Sequence, residues 1–139
     1  LSVQYLYAIN LLGGTHEMKR DIELLRAMLL LIEGCPDVPP KTMRLESFLD
    51  LNRDENIIAV HLELLRDAGL LEAQLLSVDN GAQNYEVRRL TFAGYEYLET
   101  IRDAKIWRDV KKRIAVVGGA TLDIIKALAE DEIKSALQI

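Results

Sequence analysis

The side chains of this sequence that are best placed to do chemistry are cations at regular spacing. Lys105, Arg108 and Lys112 follow one another at i, i+3 and i+7, which aligns side chains along one face of an α-helix. Arg88 and Arg89 lie on the second of two strand-like runs. Cations in such an array neutralise the phosphates of nucleic acid, so we interpret them as phosphate contacts. The alternative interpretation is a solvated face whose cations stabilise a helix C-terminus.

A second set of candidates lies on the third predicted helix. Asparagine can bond the edge of adenine, so Asn56 is a candidate for reading bases, together with Ala59, which we expect to be exposed beside it. Asn84, just before the second strand, completes the predicted nucleic-acid interface. The other positions expected to be exposed on this helix are Glu55, Glu63 and Arg66. Two carboxylates against one cation would repel phosphates, so a solvated face or a protein contact is the alternative.

Histidine and cysteine offer little to catalysis in this chain. Its two histidines belong to no HExxH motif and to no ligand cluster, so the sequence predicts no metal site. His61 is expected to be half-buried and bonded to a neighbouring loop, or else to contact a partner. Cys35 has no recognisable base, and Gly118-Gly119 lacks the Lys and Ser/Thr of a phosphate loop. We therefore predict no catalytic residue, no enzyme activity and no cofactor.

Composition indicates a folded, single-core protein. The chain has 139 residues, of which 50% are hydrophobic and 28% charged. Its net charge of −5 is uneven, because residues 18–103 carry ten basic and sixteen acidic side chains and residues 104–139 carry seven and five. One cysteine excludes an internal disulfide, and no apolar run reaches the roughly 18 residues of a membrane span. We expect a cytoplasmic protein without a membrane anchor.

The elements that must position these side chains follow from periodicity and caps. Asn52, with Glu55 three residues later, predicts a capping box, and Asn80-Gly81 between two apolar runs predicts a hairpin. The expected helices are 19–33, a short one at 46–50, one from Asn52 to about Ala68, one after Thr91, one at 104–117 and one capped by Thr121; the expected strands are 71–78 and 85–90. The apolar stripes expected along these helices include Phe92 and Tyr95 after Thr91, Val117 at the end of the 104–117 helix and Leu137 on the last helix.

This order predicts a mainly α fold with a small β-hairpin: a winged helix-turn-helix with two additional C-terminal helices. We divide the chain into an N-terminal extension (1–17), a winged-helix domain (18–103) and a helical extension (104–139). Residues 1–17 have two open interpretations. They are a non-native segment before a start at Met18, because Gly13-Gly14 can be encoded by a ribosome-binding site, or they form a real element docked on the domain.

Three stretches resemble a family of small bacterial and phage proteins of unknown function. They are MKRDIELLRAMLLLIE (18–33), HLELLRDAGLLEA (61–73) and RRLTFAGYEYLETIRDAKIWRDVKKRI (88–114). Two departures are Val60, where the family often has Tyr, and Asp103-Ala104, where it usually has an acidic pair. The resemblance implies a winged-helix-like cytosolic protein that is often carried by prophages, and it supplies no mechanism.

Two functions remain open from the sequence. The first is binding of double-stranded DNA by a phage or bacterial transcriptional regulator, with the third helix reading bases and the cations holding phosphates. The second is a protein-protein interaction or dimerisation module that does not bind DNA. Winged helices serve both roles, so the fold alone does not decide between them.

Overall fold

The described part of the chain is mainly helical with one antiparallel β-hairpin. A computed structural model describes residues 19–35, 43–77 and 83–139. The elements in these ranges are α1 (Ile22–Gly34), a 3-10 helix (Leu45–Phe48), α2 (Glu55–Asp67), β1 (Leu71–Ser77), β2 (Gln83–Leu90), α3 (Phe92–Ile101), α4 (Ala104–Ala115) and α5 (Leu122–Leu137). The predicted fold class is confirmed. The predicted N-terminal extension and the Asn80-Gly81 turn lie outside the described residues.

The chain divides into two compact units, the first ending at Gly94 and the second beginning at Tyr95. In the first unit, α1 contributes Leu25, Met28 and Leu29 to a buried core, and α2 contributes Ile58, Leu62 and Leu65. Phe48 of the 3-10 helix and Leu90 of β2 are fully buried as well. This core gathers one apolar face from each element, as the helical periodicity predicts.

The hairpin is a two-stranded sheet to which one further residue is bridged. β1 pairs with β2 from Leu71–Leu90 to Ser77–Gln83, and Met43 pairs with Val87 on the other edge of β2. The Met43–Val87 bridge has two backbone hydrogen bonds, of 2.9 and 2.8 Å. The order helix, bridging residue, short helix, helix, hairpin is consistent with a winged-helix arrangement.

Side chains mark the helix starts, and one predicted cap is wrong. Asp54, and not Asn52, caps α2, because its Oδ1 accepts from the Asn56 amide at 2.9 Å. Asn52 instead accepts from the Asp54 amide at 2.9 Å, which makes a local turn just before the cap. Thr121 caps α5 as predicted, by accepting from the Ile124 amide. α2 ends before Gly69, whose φ of +76° is the left-handed conformation expected there.

The second unit is built from the end of α3 with α4 and α5. Its buried side chains are Tyr97, Leu98, Ile101, Ile106, Trp107, Val110, Ile114, Ile125 and Ala129. The Tyr97 hydroxyl donates to the Leu122 carbonyl at 2.7 Å and so ties α3 to the start of α5.

Four members of the predicted apolar stripes are exposed: Phe92, Tyr95, Val117 and Leu137. The buried stripe of α3 is Gly94, Tyr97, Leu98 and Ile101, so Phe92 and Tyr95 lie on other faces. α4 ends at Ala115, so Val117 lies beyond the helix, and Leu137 lies in the last turn of α5.

Candidate nucleic-acid interface

The three cations of the predicted helical stripe lie on one exposed face of α4. Asp103 fixes the start of this helix, because its Oδ1 accepts from the Lys105 and Ile106 amides at 2.9 Å. The buried residues of α4 occupy the opposite side of the helix. The exposed side-chain fractions of Lys105 and Arg108 are 71% and 61%, and Lys112 is exposed as well. We call Lys105, Arg108 and Lys112 the α4 stripe.

The α4 stripe retains an excess of positive charge. One carboxylate, Asp109, lies 3.2 Å from Lys105 Nζ and 3.9 Å from Arg108 Nε. Lys112 forms no ion pair with another described residue. Exposed ion pairs contribute only about 0–1 kcal/mol, so Asp109 holds its two partners weakly. Among the described residues, Asp109 is the one carboxylate that forms ion pairs with these three cations, which leaves the face able to attract an anion.

Two other cations of α4 have structural contacts. Arg113 donates to Asp131 at 2.7 Å and to Glu132 at 3.2 Å, which joins α4 to α5 within the second unit. These two carboxylates raise the pKa of Arg113. Lys111 lies over the ring of Trp107, with 5.9 Å between Nζ and the ring centroid, a cation–π geometry. These contacts place both residues in the packing of the second unit.

The two arginines of the hairpin are both exposed because β2 contains an extra residue. Glu72 pairs with Arg89 and Ala73 pairs with Val87, so Arg88 has no partner in the register. Such a bulge interrupts the alternation of a strand and redirects a side chain. Arg89 is paired with Glu72 at 2.9 Å, whereas Arg88 forms no ion pair with another described residue. Arg88 is therefore the hairpin cation that is available to a ligand.

Asn84 is used within the first unit. Its Oδ1 accepts from the Leu45 amide at 3.0 Å and from the Tyr85 amide at 2.7 Å. Its Nδ2 donates to Glu46 at 3.4 Å. These bonds occupy both polar atoms of the amide and fix β2 against the 3-10 helix, a role that the sequence did not indicate.

The expected exposure of Ala59 is wrong. Ala59 belongs to a run of five buried residues, Ile58–Leu62, because α2 packs against α1, the 3-10 helix and β1. Asn56 is half-buried near the start of the helix. Glu63 is also half-buried and accepts a hydrogen bond from the hydroxyl of the buried Tyr85. Burial and this carboxylate raise the pKa of Tyr85. More than one full turn of α2 thus has no exposed side that could enter a DNA groove.

His61 is fully buried and not half-buried as expected. Its Nε2 accepts from the Asp21 amide at 2.8 Å, and its Nδ1 lies 2.7 Å from the Ile57 carbonyl. The predicted bond to a neighbouring segment is therefore confirmed, and its partner is the N-cap residue of α1. Burial lowers the pKa of His61, and the hydrogen bond to the Ile57 carbonyl partly opposes this effect.

A metal centre and a membrane span find no support in the described residues. No group of three His, Cys, Asp or Glu side chains is close enough to hold a metal ion in that part of the chain. Cys35 is half-buried at the end of α1. Among the described helices, none has the length and apolar character needed to cross a bilayer.

Comparison with known proteins places the chain in a family without assigning an activity. Residues 19–120 match the family described as "Hypothetical protein (DUF2513)". A Haemophilus influenzae protein named "Uncharacterized protein" is 31% identical over 121 residues, which cover 86% of this chain and 99% of that relative. No solved structure matches the chain with significance. The family match covers α1 to α4, including the residues of the α4 stripe, and the chain belongs to the DUF2513 family.

Proposed function

We propose that this chain is a winged-helix DNA-binding protein that holds duplex phosphates through the α4 stripe and is not an enzyme. The observation that carries the proposal is the exposure of Lys105, Arg108 and Lys112 on one helix face, with Asp109 as the carboxylate within ion-pair distance of them. Its single cysteine suits a cytoplasmic setting. We propose that it regulates transcription in a phage or a bacterium.

The dimensions of the α4 stripe suit a polyanion. From Lys105 to Lys112 the helix rises about 10 Å, at about 1.5 Å per residue. Duplex DNA carries one charge for about every 1.7 Å of its axis, so several phosphates lie within this length. A phosphate gains a charge-assisted hydrogen bond from each cation and displaces Asp109, whose exposed ion pairs contribute little.

This proposal shifts the DNA contact away from α2. The buried run Ile58–Leu62 removes most of the face with which a recognition helix reads bases. Arg88, exposed at the β2 bulge, supplies a separate phosphate contact from the first unit. Phosphate contacts position a protein and carry little sequence information, so affinity here depends mainly on charge.

The test is binding of the full chain to duplex DNA of random sequence across a salt series. Each phosphate contact makes the slope of log affinity against log salt concentration more negative by about 0.9. Lys112→Gln should therefore make the slope shallower by about that amount. Lys134→Gln is the matched control, because Lys134 is an exposed lysine of α5 outside the stripe and its loss changes the net charge equally. No binding at low salt, or equal effects of the two variants, would refute the proposal.

A second candidate, a self-association module, is favoured by a different observation. Val116 and Val117 follow α4 with 85% and 75% of their surface exposed, and Ile124 at the start of α5 is half exposed. Exposed apolar side chains of this kind occur at protein interfaces. Sedimentation of the full chain tests it: a dimer that Val117→Lys dissociates, and that a control Leu75→Lys on β1 leaves intact, would favour association over DNA binding.

A further inference from the structure

His61 connects the first turn of α1 to the middle of α2. Only 1% of its surface is exposed, and both ring nitrogens have partners. Asp21, which donates its amide to Nε2, is the residue at which α1 begins: its side chain accepts from the Leu24 amide and its carbonyl accepts from the Leu25 amide. One imidazole therefore holds the N-cap of a helix.

The two partners of the ring fix its protonation state. The Ile57 carbonyl can only accept, so Nδ1 must carry a hydrogen. The Asp21 amide can only donate, so Nε2 must be without one. Only the neutral tautomer with hydrogen on Nδ1 satisfies both bonds. A proton added to Nε2 would set two donors against each other 2.8 Å apart.

The charges around the ring do not compensate for this conflict. Asp21 favours the charged imidazole and Arg20 opposes it, and both come from the start of α1. Glu46 of the 3-10 helix and Glu72 of β1, the charged residues of two other elements that pack on α2, are not among the causes that shift the pKa of His61. On α2 itself, the nearest carboxylate in sequence, Glu63, is bonded to Tyr85.

We propose that His61 is an acid-sensitive lock, whose neutral ring holds the start of α1 on α2 and whose protonation releases it. The sign follows from burial, which lowers the pKa of His61 in the folded state below its ordinary value of 6.5. The unfolded chain then binds a proton more readily than the folded chain, and stability falls as the pH drops through about 6.5. Above that pH the lock is fully engaged.

The experiment uses full-length protein in which His61 is the remaining histidine. The chain has two histidines, so His16→Gln achieves this, and His16→Gln/His61→Gln is the matched control. Urea unfolding is measured between pH 8 and 5.5, above the range in which most carboxylates titrate. The unfolding constant of His16→Gln should rise by up to about 11-fold at pH 5.5, and the control should be flat. A flat profile for both proteins, or the same rise in both, would overturn the proposal.

A second measurement does not require the His61 variant to fold. Nitrogen-15 NMR of the imidazole in the His16→Gln protein should show hydrogen on Nδ1 and none on Nε2 at pH 7.5. Hydrogen exchange, corrected for its intrinsic pH dependence, should then show that the Asp21 and Leu25 amides lose protection at pH 5.5. The Ile125 amide, which bonds to the Thr121 cap in the second unit, is the control and should lose less. Hydrogen on Nε2 at pH 7.5, or equal loss of protection at both caps, would overturn the lock.

Discussion

Replacement of Gly94 by alanine provides a sharp test of the packing between α3 and the residues before the hairpin. A Cβ at this position would lie 1.9 Å from the Leu70 carbonyl oxygen, 2.9 Å from its carbon and 3.3 Å from Leu90 Cβ. The Leu70 oxygen is itself fixed, because it accepts from the Thr91 amide at 3.0 Å. The Thr91 hydroxyl adds a bond to the Gly69 carbonyl at 2.6 Å. The helix and this carbonyl must therefore separate for alanine to fit.

The expected magnitude combines two opposing effects. In an open helical position, alanine is more favourable than glycine by about 1 kcal/mol. Forcing an atom into a closely packed contact destabilises by about 1–3 kcal/mol and sometimes more, and a backbone oxygen at 1.9 Å belongs at the upper end. We expect Gly94→Ala to lower the free energy of unfolding by about 2 kcal/mol or more.

Gly34→Ala is the matched control, because Gly34 is the last residue of α1 and a Cβ there would meet no atom within 4 Å. Its effect should be between neutral and about 1 kcal/mol of stabilisation. Urea unfolding with circular dichroism measures both variants, and the loss expected for Gly94→Ala corresponds to a midpoint lower by on the order of 1 M. A Gly94→Ala protein as stable as wild type, or an equal loss in Gly34→Ala, would refute the packing argument.

Two further predictions concern side chains that hold the first unit together. Tyr85→Phe removes the hydroxyl that donates to Glu63 and should lower the free energy of unfolding in urea by about 1 kcal/mol. The control Tyr95→Phe, at an exposed position, should have no effect. Equal effects of the two variants would argue against the Tyr85–Glu63 bond. Asp54→Ala removes the N-cap of α2 and should lower the free energy of unfolding by about 1 kcal/mol, and Asn52→Ala should lower it by less. The reverse order would indicate that Asn52 caps the helix.

Local sequence rules predicted the elements well, because each rule acts over a few residues. In the described ranges, periodicity and caps located each helix within a few positions, and Thr121 is the cap it was expected to be. In β2, the buried Tyr85 and Val87 alternate with residues that are not buried, as the period of a half-buried strand requires. The position of the α2 cap was missed because Asn52 and Asp54 are both good capping residues, and the bond between them decides which one starts the helix.

The candidate site was less predictable, because it depends on contacts between distant residues. Ala59 looked exposed on a helical wheel, and only the packing of three neighbouring elements buries it. The neutralisation of Arg89 depends on Glu72, which is 17 positions away in the chain. The α4 stripe was predictable, because i, i+3 and i+7 spacing within one helix is a local property.

The extra residue in β2 decides which of its side chains reach the core. In a regular strand, residues an odd number of positions apart lie on opposite faces. The bulge places Arg88 and Arg89 opposite Glu72, so Val87 and Leu90 are both buried although they are three positions apart. Deletion of Arg88 would leave the pairs of the hairpin unchanged, whereas a straightened strand that retained Arg88 would turn Val87 or Leu90 away from the core.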